Sequence, residues 1–230
     1  MDSLETELDR ARALDVSDLA DAIESIGFEC TRCGACCKAN EGSDGPRNDG
    51  AAVGDGDPHT ATVFPDEVRD LQAATDYDWR DVARPMPYGL SEGPDGPEGE
   101  TFEWALQTDT CGDCTFYEES DGEGWCTVHD DRPLICATYP FSVALGGTSQ
   151  PMGEAVDEAG VVRAHECEGL GRDISREAAT DLAAALKERA IRELEEALDV
   201  RDAYTPVELG PGEVVVHDSE GPKTPDGRSR

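Results

Sequence analysis

Lysine is nearly missing from this 230-residue chain: only Lys38, Lys187 and Lys223 occur, and the other sixteen cations are arginines. Large apolar side chains are scarce too. Leu, Ile, Val and Phe together number 40, under the roughly 20% line that flags disorder at high net charge. No apolar run approaches the roughly 18–20 residues that a membrane span needs. The opening, MDSLETELDR, is acidic and helical, unlike a basic leader followed by an apolar stretch. Positive charge is outweighed throughout, with 52 Asp and Glu against 19 Lys and Arg and a formal net charge of -33. Such a surface repels phosphates and anionic lipids, which argues against nucleic acid and membrane as partners. A cytoplasmic protein is expected, in a reducing compartment that disfavours structural disulfides.

An acid excess with few lysines and many small residues looks like the proteome of a salt-accumulating archaeon. In molar salt the Debye length is about 3 Å, so the self-repulsion that would swell the chain in dilute buffer is screened. An acidic disordered chain is the competing reading. A folded protein is expected instead, because bound metal supplies what a thin core cannot. Folding should then depend on both salt and metal.

What the chain does have is cysteine. There are nine, an odd number that suits no complete disulfide set. Cys30, Cys33, Cys36 and Cys37 read C-x2-C-x2-C-C, and Cys111, Cys114, Cys126, Cys136 and Cys167 follow. Thiolates at two-residue spacing converge on one soft metal, because a tight turn brings both sulfurs to the same side. The first three match the start of a ferredoxin iron–sulfur run, without its x3-C-P continuation. In extended backbone, neighbouring side chains point to opposite faces. Cys36 and Cys37 are therefore expected to serve two metals, or two corners of a larger cluster. Gly34 suits a positive φ that turns amide groups toward the sulfurs.

The later cysteines carry their own signals. Cys111 and Cys114 form a C-x2-C knuckle, as in zinc ribbons or thioredoxin-like redox sites, but no βαβ pattern surrounds it. His129 is either an imidazole ligand or a surface side chain. Arg132 either pairs with the negative cluster or is an ordinary turn arginine. Pro133 and Pro140 bracket Cys136 and limit its freedom.

The expected architecture is a small, irregular α+β domain with metal-binding loops, short strands and a long C-terminal helix. Two helices are expected over 1–27, from the faces Leu4, Leu8, Ala11, Leu14 and Leu19, Ile23, Ile26, with Ser17 as a cap. The metal-binding domain then runs over 28–200, and a partly disordered tail over 201–230. Within that domain, 39–60 is Gly/Asp-rich loop and 89–100 is loop again. A helix is expected at 65–75. Residues 101–108 read as a strand with Phe102, Trp104 and Leu106 on one face, and a hairpin turns at 118–124. Ser175 caps the longest helix, 176–199, whose seam is Leu182, Leu186, Ala190, Leu194 and Leu198.

Taken in order, these segments resemble the YkgJ-type cysteine-cluster family. The segments are Cys30-Thr31-Arg32-Cys33-Gly34-Ala35-Cys36-Cys37, Cys114-Thr115-Phe116-Tyr117, Cys126-Thr127-Val128-His129, Arg132-Pro133-Leu134-Ile135-Cys136-Ala137-Thr138-Tyr139-Pro140 and Cys167-Glu168-Gly169. The resemblance covers roughly residues 28–171 and implies zinc or iron chelation without an established reaction. By position it implies eight ligands: Cys30, Cys33, Cys36, Cys37, Cys114, Cys126, Cys136 and Cys167. Cys111 looks like an addition. A similar cluster occurs in flagellin lysine methylases, but this chain lacks the G-x-G-x-x-G turn that would cradle a nucleotide-like methyl donor.

Three functional classes share those ligands: a chelating protein, an iron–sulfur electron carrier or oxidoreductase, and an accessory domain for a protein-modifying enzyme. Partners are metal ions and, in the last two cases, a protein redox or modification partner. No convincing catalytic set accompanies the cysteines, so the sequence leaves catalysis open. Two C-x2-C elements suit zinc in two four-cysteine sites. The ferredoxin-like triple with Cys37 tips the choice slightly to an iron–sulfur cluster.

Overall fold

The computed structural model describes residues 2–39, 57–94, 96–121, 123–146 and 153–230. Most of the expected Gly/Asp-rich loop, residues 40–56, lies outside them. In chain order the first elements are α1 (Leu4–Ala13), α2 (Val16–Ile26), β1 (Thr62–Val63), α3 (Pro65–Ala74) and α4 (Trp79–Val82). Next come β2 (Ala83–Pro85), β3 (Leu90–Gly93), β4 (Gly96–Thr101) and β5 (Trp104–Leu106). The strands β6 (Tyr117–Ser120) and β7 (Glu123–Cys126) precede a 3-10 turn at His129–Asp131 and the short helix α5 (Leu134–Thr138). The chain continues through β8 (Phe141–Val143), β9 (Glu154–Ala155), β10 (Val162–Ala164), α6 (Arg176–Ala203), β11 (Val214–Asp218) and β12 (Gly221–Lys223). The expected α+β class holds. Among the described residues no helix is long and apolar enough to cross a membrane.

Two compact units emerge, and both are discontinuous in sequence: residues 1–33 with 134–202, and 34–133 with 203–230. The first boundary falls inside the cysteine motif, between Cys33 and Gly34.

In the first unit, Ser3 caps α1 by accepting from the Thr6 amide at 3.3 Å. The cap of α2 is Asp15, accepting from Ser17 at 2.7 Å and Asp18 at 3.4 Å, so Ser17 lies inside the helix. A carboxylate here also complements the helix dipole. Gly27 ends α2 at φ 74, where a side chain would strike the Arg172 carbonyl. Leu8, Ala11, Leu19 and Ile23 pack with Phe141, Val162, Leu186, Ala190 and Leu194 into the core. Three of the five expected seam residues of α6 are buried in it; Leu182 and Leu198 are partly buried beside it. Ser175 caps α6 as expected, through the Ala178 amide at 3.1 Å. The small antiparallel sheet runs β8-β10-β9.

In the second unit, the sheet β1-β5-β2 is antiparallel, and Trp104, Ala105 and Leu106 on its central strand are all buried. A short strand covered on both faces needs no alternation. Phe102, expected inward, is 48% exposed because it precedes β5. Residues 89–100 are not loop: β3 and β4 pair there, and the second sheet runs β12-β11-β4-β3. The tail carries two strands. Val214, Val215 and Val216 pair in parallel with Gly99, Glu100 and Thr101, and β12 folds back on β11. The Gly/Pro-rich β4 carries almost no apolar pattern, so its strand character comes from the valines that pair with it. Lys223, 3% exposed, ties the end of this hairpin to Asp218 at 2.8 Å and Glu220 at 2.6 Å. Trp104 Nε1 donates to the same Asp218 carboxylate at 2.8 Å.

Candidate metal centre

Residues 34–38 curl into a turn in which Gly34 O accepts from the amides of Cys37 at 2.8 Å and Lys38 at 3.1 Å. Gly34 has φ 75, as expected from its place in the motif. The turn reverses the expectation for the adjacent cysteines. Because the backbone is not extended there, Cys36 and Cys37 point together, with Sγ atoms 3.7 Å apart.

Backbone contacts bring two further cysteines to this turn. The Cys114 amide donates to Cys37 O at 2.7 Å, and Tyr117 N donates to Cys114 O at 2.9 Å. Cys126 is the cross-strand partner of Tyr117 in the β6–β7 hairpin. Cys36, Cys37, Cys114 and Cys126 therefore share one neighbourhood in the second unit. Its electrostatics are uneven. The Cys36 thiol is lowered to about 7, mainly by its hydrogen bond with Cys37, with help from the Arg132 charge. Burial pushes Cys114 up to about 11 and also raises Cys126, although Arg132 pulls Cys126 the other way. Arg132 is held by donating from Nε to His129 O at 2.8 Å. It is thus a turn arginine whose charge also lowers the Cys36 and Cys126 thiols. His129 turns to Asp130, at 3.4 Å. Cys111 is exposed in an Asp109 turn, where Asp109 Oδ1 accepts from the amides of Cys111 at 2.8 Å and Asp113 at 3.0 Å.

The first unit holds Cys30, Cys33, Cys136 and Cys167. A bridge between Phe28 and Leu170, and the Glu29 amide bonded to Gly169 O at 3.0 Å, lay the Cys30 segment against the Cys167 segment. Gly169 has no room for a side chain against the Glu29 carbonyl. Tyr139 donates to Glu166 O at 3.0 Å, tying the end of α5, and with it Cys136, to the Cys167 segment. From α6, Arg189 donates to Thr138 Oγ1 at 3.1 Å and Phe141 O at 3.3 Å. His165, two residues before Cys167, stacks edge-on to Tyr139 at 6.0 Å.

Cys30, Cys33, Cys36, Cys111, Cys114 and Cys126 are free thiols. The donor chemistry suits a thiophilic ion. Thiolates around a tetrahedral ion at a metal–sulfur distance of about 2.3 Å stand about 3.8 Å apart, close to the 3.7 Å between Cys36 and Cys37. Among the described residues no three His, Cys, Asp or Glu side chains stand in closed ligand geometry. The fit is therefore one of donor type and proximity, not of a completed tetrahedron.

Short sheets, a long helix and thiols collected by turns and hairpins define a cysteine-cluster protein. Residues 29–168, more than half the chain, match the family model described as "CxxCxxCC: Putative zinc- or iron-chelating domain", and the protein belongs to that family. No curated protein and no solved structure matches it. The whole of α6, β11 and β12 lies beyond the matched segment.

Proposed function

We propose that this chain chelates zinc or iron through eight thiolates, Cys30, Cys33, Cys36, Cys37, Cys114, Cys126, Cys136 and Cys167. The carrying observation is the gathering of Cys36, Cys37, Cys114 and Cys126 around one turn, with the first two at 3.7 Å. That spacing matches the edge of a tetrahedron of thiolates around one metal atom. In a four-iron cluster each cysteine binds a separate iron, whereas in a two-iron cluster two cysteines share each iron. The separation suits two thiolates on one metal atom, in a mononuclear site or on one iron of a two-iron cluster, and the ferredoxin-like spacing in sequence supports a cluster. Each unit contributes four of the eight thiols, the number either form requires. Arg132 offsets part of the negative charge that four thiolates place on an ion.

Anaerobic purification in high salt, followed by analysis of iron, zinc and acid-labile sulfide, decides between them. Metal without sulfide supports mononuclear sites; iron with equimolar sulfide supports a cluster. Cys114→Ser and Cys136→Ser should each strip metal, and Cys111→Ser should leave it in place. Chelation is rejected if the purified chain carries no zinc or iron and takes up neither. The ligand assignment fails if Cys111→Ser loses as much metal as Cys114→Ser.

A further inference from the structure

Four of the five thiols of the second unit, Cys36, Cys37, Cys114 and Cys126, are tied to one residue whose side chain donates nothing to a metal. The Tyr117 ring lies flat against Gly34, in the cysteine turn, and against Gly124, on β7; a methyl group at either position would overlap the phenol. Its hydroxyl donates to Glu119 Oε2 at 2.7 Å, and that same oxygen takes the Lys38 ammonium. Lys38 also stands 5.2 Å from the centre of the Tyr117 ring. The residue touches every route to the thiols. Its amide holds Cys114 O at 2.9 Å, its cross-strand partner is Cys126, and its ring supports the turn bearing Cys36 and Cys37. Lys38 is one of only three lysines in the chain, and it immediately follows Cys37. The ion pair is exposed and adds little by itself. Its geometric effect is to close the far side of the ring, so that the turn, the ring and the hairpin move as one body.

We propose that Tyr117, braced by Glu119 and Lys38, is the positioning residue that sets the spacing of Cys36, Cys37, Cys114 and Cys126. The proposal rests on the chelation reading and assigns the phenol no contact with metal. Supporting residues of this kind, when lost, commonly cost 10–100-fold in metal affinity.

Cobalt(II) is the test probe, because its thiolate charge-transfer and ligand-field bands report sulfur number and tetrahedral geometry. Affinity is measured on the full chain in high salt by competition with a chromophoric chelator. Tyr117→Leu should weaken cobalt and zinc binding about 10–100-fold and shift or split the cobalt bands. Tyr117→Phe, which keeps the ring between the two glycines, should recover most of the affinity and the parent spectrum. Gly124→Ala displaces the ring without removing it, and should reproduce the Tyr117→Leu spectrum even if Tyr117→Leu fails to fold. The proposal is overturned if Tyr117→Leu or Gly124→Ala binds cobalt with parent affinity and spectrum while Cys114→Ser loses it. If the unmodified chain binds neither zinc, iron nor cobalt, the chelation reading falls first and this proposal with it.

Discussion

His59 is a buried base in an acidic protein. Only 9% of it is exposed; burial, reinforced by the Arg84 charge, pushes its pKa down to about 4. The unfolded chain binds a proton near the ordinary value of about 6.5, whereas the folded chain does not. The neutral ring's contribution is therefore complete above pH 6.5 and is lost as pH falls toward 4. At about 1.4 kcal/mol per pH unit, the whole effect is at most about 3 kcal/mol. His59→Gln should flatten the stability curve between pH 6.5 and 4.5, read by urea unfolding of both proteins at each pH. Equal slopes would show that His59 is not the source. Nothing in the sequence marked this residue, because its burial comes from contacts distant in the chain: its amide donates to Gly112 O at 2.8 Å, and its carbonyl accepts from Arg84 at 2.9 Å. The cysteine motif was legible for the opposite reason, since its spacing is local in sequence and marks a candidate ligand set. What spacing hid was direction. Cys36 and Cys37 point together only because Gly34 starts a turn, and a two-residue motif does not specify its own backbone.

Helices were the legible elements. The i, i+3 and i+4 repeats of α1, α2, α3 and α6 predict their buried faces, because a helix carries its register within itself. Strands were less legible, since their partners lie far away. β4 is Gly-Pro-Glu-Gly-Glu-Thr, which reads as loop, yet it pairs with β3 on one side and β11 on the other. The β11–β12 hairpin, which reads as a trailing tail, carries Val215 and Val216 fully buried and Lys223 tied to Asp218. Asp218 is 1% exposed, so removing its cation leaves a buried charge uncompensated. Breaking a buried pair in this way costs about 3–5 kcal/mol. Lys223→Met should destabilise the second unit by that amount, and adding Asp218→Asn should recover part of the loss. Urea melts followed by Trp104 and Trp79 fluorescence provide the readout. A Lys223→Met protein as stable as the parent would mean that the hairpin is not a structural part of the unit.

At the scale of the molecule, the argument turns on charge and on how little apolar surface is available to oppose it. A formal charge of -33 on 230 residues favours expansion at low ionic strength, where the Debye length reaches about 30 Å in 0.01 M salt and spans a whole unit. Near 1 M it is about 3 Å, and charges repel only their immediate neighbours. The surface pairs that stitch the first unit, such as Arg12 with Glu195 at 2.8 Å and Arg201 with Glu5 at 2.6 Å, are exposed and weaken in the same salt. The net effect of salt is the difference between losing these few attractions and losing a much larger number of repulsions. Repulsion wins, because 52 acids face only 19 bases. Small-angle scattering of metal-loaded protein should therefore show a radius of gyration that falls as salt rises from 0.01 M to 1 M. Far-UV circular dichroism should gain helix over the same range. Metal should shift the midpoint to lower salt without abolishing the transition, because the thiolates fix loops while the acids load the whole surface. A protein equally compact in dilute buffer and in molar salt would show that the core and the bound ion together already outweigh the self-repulsion. The acid excess would then have to be explained by solubility alone.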